Sequence, residues 1–256
     1  MSQSPDSGAA RAKGCGVALQ NVTLGYDGHP AVHHLSGDFP AGSMTAICGP
    51  NGAGKSTLAR ALAGALKPIG GAILREGLPA RAIAYLPQAA EIDRTFPMDV
   101  FDMVVSGARV GLFGALGARV RESAERALAA VGLQGFERRP IGALSGGQTQ
   151  RMLFARLMMQ DARFLVLDEP FAAVDERTTA DLTALLERWR GEGRTIVAVL
   201  HDLAEVRAHF RRTLLLAREC VAWGPTSDVL TADNLARARR MSEAFDESAA
   251  ACERAA

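Results

Sequence analysis

Nine consecutive residues, Gly49, Pro50, Asn51, Gly52, Ala53, Gly54, Lys55, Ser56 and Thr57, have the types and spacing needed to hold a row of phosphates. Glycines let the backbone curl until successive N–H groups converge on phosphate oxygens, and a helix starting beside them adds positive potential. The run fits the phosphate-loop pattern G-x-x-x-x-G-K-[ST] without a mismatch. In such a loop the lysine reaches the β- and γ-phosphates and the first hydroxyl ligates Mg²⁺, roles that fall to Lys55 and Ser56. The chain has only three lysines, Lys13, Lys55 and Lys67, and otherwise draws its positive charge from arginine. A chance glycine-rich turn is the plain alternative, and the flanks argue against it. Met44-Thr45-Ala46-Ile47-Cys48 reads as a strand leading in, and Leu58-Ala59-Arg60-Ala61-Leu62-Ala63 as a helix leading out. The chain is expected to bind a nucleoside triphosphate.

Three further groups have chemistry to offer. Asp168 and Glu169 follow the apolar run Phe164-Leu165-Val166-Leu167, so they project from the carboxyl edge of a buried strand, where ligands of parallel sheets sit. An aspartate there can hold Mg²⁺, and a neighbouring glutamate can polarise an attacking water. An acidic pair capping the turn before Pro170 is the structural alternative. Leu144-Ser145-Gly146-Gly147-Gln148 leads into a helix read over Thr149–Gln160 and offers a hydroxyl and free backbone N–H groups, a second potential anion cradle. One chain holding one nucleotide has no need of two.

The elements that must position these groups are legible from periodicity. Val17 to Leu24 alternates as a strand, Tyr26 to Pro30 is a turn, and Ala31 to Phe39 a second strand. Ala72–Leu74 and Ala82–Leu86 read as short strands after the phosphate-loop helix. Residues 97–160 turn helical, with apolar segments Val100–Val105 and Ala124–Val131, the second ended by Gly132. The α/β pattern then returns: a helix over Thr178–Arg190, a buried strand Thr195–Leu200, and a terminal strand pair from Arg212 followed by a helix. The fold class is α/β, with a mostly parallel core sheet, an N-terminal antiparallel β subdomain and a helical insertion over about 89–160. One domain over 15–240 is expected, between tails 1–14 and 241–256.

Composition narrows the class. Apolar residues make up 48% and charged residues 22% of 256, with a formal net charge of +1, which gives no reason to expect nucleic acid as a partner. Cys15, Cys48, Cys220 and Cys252 lack any C-x-x-C or Cys/His spacing and read as reduced, cytosolic thiols. His33 and His34, as strand neighbours, point to opposite faces and read as structural rather than as metal ligands. The first dozen residues lack the apolar stretch of a signal peptide, and the most apolar run, Val110–Val120, is too short to span a bilayer.

The phosphate loop, Asp168-Glu169 and Leu144–Gln148 together resemble the ATP-binding-cassette (ABC) ATPase family over about residues 16–235, Leu-Ser-Gly-Gly-Gln being that family's hallmark. The resemblance implies further roles. Tyr26 stands where an aromatic ring meets adenine. Gln88 matches the glutamine loop that reaches Mg²⁺ and the attacking water. Asp175 matches the loop that crosses a dimer interface, although Ala172-Ala173-Val174 replaces the commoner Ser-Ala-Leu. His201 matches the switch histidine near the γ-phosphate. It also implies a head-to-tail homodimer closing on two ATP molecules, each held between one subunit's phosphate loop and the other's Ser145-Gly146-Gly147-Gln148, with Mg²⁺ at Ser56, Gln88 and Asp168. Glu169 then directs water attack, with Lys55 and His201 stabilising the developing charge.

Two roles fit such a cassette: the energy-coupling subunit of a membrane transporter, or a soluble ATPase in DNA repair or translation. The soluble relatives carry paired cassettes, coiled-coil insertions or zinc modules, and this sequence has none; a P-loop kinase or GTPase conflicts with Leu144–Gln148. The implied partners are a separate integral-membrane permease, with this chain at the cytoplasmic face of the membrane, and, indirectly, an extracytoplasmic metal-binding protein. The glycine-rich apolar stretch Val110–Leu116 is a candidate docking surface, with internal packing as the alternative. Asp93, Phe96-Pro97, Val100, Asp102 and Gly107, together with Phe171-Ala172-Ala173-Val174-Asp175, are similar to the zinc/manganese importer cassettes. Iron-siderophore and cobalamin importers share Leu86-Pro87-Gln88 and stand as the alternative.

Overall fold

The computed structural model describes residues 16–75, 77–108 and 117–243. Lys13, Cys15, Cys252, the tails 1–14 and 244–256 and the Val110–Leu116 stretch lie outside the described residues.

Strand β1 (Val17–Tyr26) turns through Asp27-Gly28 into β2 (His29–Phe39). Both turn residues take positive φ, the geometry of a two-residue hairpin, so β2 begins two residues before the expected Ala31. The pair is irregular part-way along: Asn21 (φ 50°) and His34 (φ 48°) lie in successive register shifts on either side of the Val22–Leu35 pair, and His34 Nδ1 sits 2.9 Å from Asn21 Oδ1. Then come β3 (Met44–Cys48), α1 (Lys55–Ala63), β4 (Gly70–Leu74) and β5 (Ile83–Leu86). A helical stretch follows: α2 (Val100–Val105), α3 (Ala118–Ala130) and α4 (Gly146–Met159). The chain returns to α/β with β6 (Phe164–Asp168), α5 (Glu176–Gly191), β7 (Thr195–Val199) and α6 (Leu203–His209). It closes with β8 (Arg212–Ala217), β9 (Glu219–Pro225), α7 (Thr226–Val229) and α8 (Ala232–Glu243).

Two sheets result. One is antiparallel in the order β2-β1-β4; the other runs β5-β6-β7-β3-β8-β9 and is parallel except for the β8–β9 pair. This matches the expected α/β class. Along β6 the residues sort alternately into two cores. Phe164 and Val166 join Leu58 and Leu62 of α1 and the inner face of the antiparallel sheet. Leu165 and Leu167 join α4, α5 and the helical stretch. A strand buried on both faces has no polar side to show, which is why it reads as a continuous apolar run. Phe154 of α4 stacks on Trp189 of α5 at 6.2 Å, fastening the helical stretch to the core. Among the described residues no helix is long and apolar enough to cross a membrane.

Candidate active site

The phosphate loop bridges β3 and α1, and its shape depends on glycine. Gly49 (φ 152°) and Gly54 (φ 87°) take backbone angles that L side chains rarely adopt. A Cβ on Gly49 would lie 1.9 Å from the Leu216 carbonyl oxygen, and one on Gly54 would lie 2.4 Å from Val32 Cγ2. The loop is thus wedged between β8 and β2. Lys55 opens α1, is buried, and donates from Nζ to the carbonyls of Gly49 at 2.9 Å and Pro50 at 2.8 Å. Burial lowers its pKa, while Glu169 and Asp168 pull it back up. Cys48, just before the loop, has its thiol pushed up to about 12 by burial, so it stays protonated and inert.

Around the loop the carboxyl edges of β5, β6 and β7 deliver the acid and amide groups. Asp168 is fully buried as the last residue of β6, inside the strand rather than after it. It accepts from Ser56 Oγ at 3.2 Å and from the Tyr85 hydroxyl at 3.3 Å. Burial raises its pKa more than those hydrogen bonds lower it. Glu169 sits at φ 52°, a left-handed conformation that costs a non-glycine residue about 1–2 kcal/mol. That turn brings Glu169 Oε1 to 2.9 Å from Gln88 Nε2 and 2.7 Å from His201 Nε2. Gln88 Nε2 also lies 3.5 Å from Ser56 Oγ. Ser56, Gln88, Asp168, Glu169 and His201 therefore form one connected cluster, with Lys55 near enough for both carboxylates to act on its charge. Tyr26 stands at its border, exposed, with its hydroxyl 3.4 Å from Arg60 Nη1.

Ser145, Gly146, Gly147, Gln148 and Asp175 form a second group. The helix α4 starts at Gly146, earlier than the Thr149 read from the sequence, because Ser145 caps it. Ser145 Oγ accepts from the Gln148 N–H, and Gln148 Oε1 accepts from the Ser145 N–H at 2.9 Å. Gln148 thus stiffens the turn that presents Ser145. A Cβ on Gly146 would sit 3.2 Å from that of Ala173, so the α4 start packs on the segment leading to Asp175. Asp175 caps α5 by accepting from the Thr178 N–H at 2.7 Å, and those bonds hold its carboxyl below the usual carboxylate range. Among the described residues this group makes no hydrogen bond to the phosphate-loop cluster.

The structure adds partners that sequence reading missed. Tyr85 reaches Asp168 because β5 lies beside β6, a neighbour relation that no local pattern encodes. Arg60 of α1 pairs with Glu91 at 2.5 Å, tying the Tyr26 border to the segment after Gln88. Arg151 donates to Thr178 Oγ1 at 2.6 Å and to the Val131 carbonyl at 3.4 Å.

Comparison with known proteins decides the family. The ABC transporter family pattern matches residues 32–172. The chain belongs to the ABC transporter ATP-binding family. It is 39% identical over 225 residues to the manganese transport system ATP-binding protein MntB of Listeria monocytogenes, covering 86% of this chain and 94% of that one. It is also 39% identical over 228 residues to the zinc transport system ATP-binding protein TroB of Treponema pallidum, covering 87% and 86%. A dimeric bacterial ABC transporter cassette superposes with a TM-score of 0.74 at 25% identity, covering 82% of this chain and 98% of that one. As an ABC cassette, this chain is a nucleotide-binding ATPase subunit of a transporter.

Proposed function

We propose that the chain hydrolyses ATP to drive an importer of zinc or manganese, docked on the cytoplasmic side of a separate permease that receives the ion from an extracytoplasmic binding protein. The observation that carries the hydrolytic part is the single oxygen of Glu169 held by both Gln88 and His201 beside Lys55. The cargo rests on the relatives named for manganese and zinc transport.

Lys55 leaves the Gly49 and Pro50 carbonyls for the β- and γ-phosphate oxygens, an exchange of like donor–acceptor pairs. With Oε1 of Glu169 already engaged, Oε2 is the atom that orients the attacking water and takes its proton. Gln88 fixes that carboxylate, and with nucleotide bound His201 turns its N–H from Glu169 to the charge developing on the phosphoryl oxygens. The donor set fits Mg²⁺: Ser56 Oγ, the Asp168 carboxylate and the Gln88 amide are hard ligands, and a buried acid with a raised pKa is a charge in want of a cation. A Mg²⁺ held by these residues would neutralise charge on the β- and γ-phosphates. Tyr26 offers its ring to adenine. Across a head-to-tail dimer, Ser145 and the Gly146 and Gly147 N–H groups of one copy close on the γ-phosphate of the other, with Asp175 at the joint.

The segment after Gln88 is the permease-facing one. Phe96 is 55% exposed there, unusual for so large an apolar side chain. Deleting the gene and growing cells under a chelator tests the assignment. Poor growth rescued by zinc or manganese is expected; unchanged metal content with failed siderophore or cobalamin use would overturn it.

A further inference from the structure

The amino ends of β3 and β8, the end of the sheet remote from the phosphate loop, border a cavity of about 160 Å³. Its lining includes Ser43 before β3, Glu187 and Arg190 of α5, His209 closing α6, and Arg211 and Arg212 at the start of β8. Three arginines against one glutamate leave a formal charge of two positive with His209 neutral.

Part of this charge has an ordinary explanation. Arg190 donates to Glu187 at 2.8 Å, and His209 faces Glu205 at 3.5 Å. Both stand in the last turns of their helices, where positive charge complements the helix dipole. Arg211 and Arg212 have no such role, since they lie on the strand side. Arg212 Nε is moreover shut off from solvent without a hydrogen-bond partner. A ligand cannot reach an atom that water cannot, so what the cavity offers an anion is the outer guanidinium nitrogens of Arg212 and the exposed Arg211, neither paired with a carboxylate among the described residues.

We propose that this cavity binds a phosphate group, as the free anion or as the monoester of a small metabolite. The Nη groups of Arg212 and Arg211 donate to separate phosphate oxygens, and Arg190 completes the rim. With Glu205 beside His209 the local excess is still positive, which favours an anion. Size sets the class too: sites for drug-sized ligands run to roughly 300–1,000 Å³, so a phosphate with a short organic stem fits and a nucleotide does not. The site is independent of the ATP reaction. Its occupant bridges α5 and β8 and adds stability by mass action.

Calorimetric titration of the full chain, first saturated with Mg-ADP to fill the phosphate loop, tests the assignment. Inorganic phosphate and glycerol phosphate are the probes, with sodium chloride at matched ionic strength as control. Saturable binding is expected, retained in Lys55→Ala and weakened about tenfold or more in both Arg211→Ala and Arg212→Gln. Tighter binding of glycerol phosphate assigns the monoester; equal or weaker binding assigns the free anion. Arg211 is exposed, so its variant remains informative should Arg212→Gln fail to fold. Binding that disappears in Lys55→Ala, that ignores both arginines, or that is absent at millimolar probe would overturn the proposal.

Discussion

Asp168 shows how the site exchanges stability for chemistry at the level of one side chain. Its carboxylate is fully buried between Ser56 and Tyr85, and burial raises its pKa above the ordinary value. Between the unfolded and folded values the folded chain binds more protons than the unfolded one. Stability linked to Asp168 is therefore greatest below the ordinary carboxylate range and falls as pH rises through the raised value. Replacing it by asparagine removes the charge and keeps the acceptor oxygen. Without nucleotide or Mg²⁺, Asp168→Asn should melt above the parent at neutral pH, the gap closing as pH falls toward the carboxylate range, while Mg²⁺-dependent turnover is lost. Thermal melts across pH check this; a variant that melts lower at neutral pH would contradict it.

At the scale of elements, α4 and α5 act as one piece. The α4 start packs on Ala173, and Arg151 of α4 fastens Thr178 in the first turn of α5 while holding the carbonyl of Val131 at the end of α3. One planar guanidinium spans two partners, which an ammonium does not reproduce. Arg151→Ala should cost about 2 kcal/mol, within the range for hydrogen bonds to charged groups, and lower ATPase activity by loosening the approach of Ser145 to Asp175. Arg151→Lys should recover little of either. Urea denaturation alongside turnover assays separates the two effects; full recovery by lysine would show that charge alone matters.

At the scale of the whole molecule, the two phosphate cradles lie on separate elements of one chain, so a complete site in our reading needs two copies. Binding of ATP favours the closed pair only by contacts absent from the open one. Glu169→Gln keeps the shape of the side chain and removes its basicity. It should bind ATP, lower turnover by about 10²–10⁴-fold, and elute as an ATP-dependent dimer in gel filtration. Adding Lys55→Ala should abolish that dimer. Near-normal turnover in Glu169→Gln would remove Glu169 from its assigned role.

Much of this protein is written locally. The run from Gly49 to Thr57, the cap at Ser145 with Gln148 three residues on, and the apolar runs of β6 and β7 are short-range patterns, each set by backbone sterics or by burial on both faces. They suffice for the α/β class, the order of elements and the family. Boundaries slipped by one to three residues where a cap or a hairpin turn, rather than periodicity, sets the end, as at Gly146 and His29. What local pattern could not carry is adjacency. The order β5-β6-β7-β3-β8-β9 sets strands beside one another that are far apart in the chain. Only that arrangement places Tyr85 on Asp168, turns Glu169 between Gln88 and His201, and gathers Arg190, Arg211 and Arg212 around one cavity. Those contacts are decided by how the two cores pack on the faces of the sheet, an energy shared among many distant residues that no stretch of sequence holds alone.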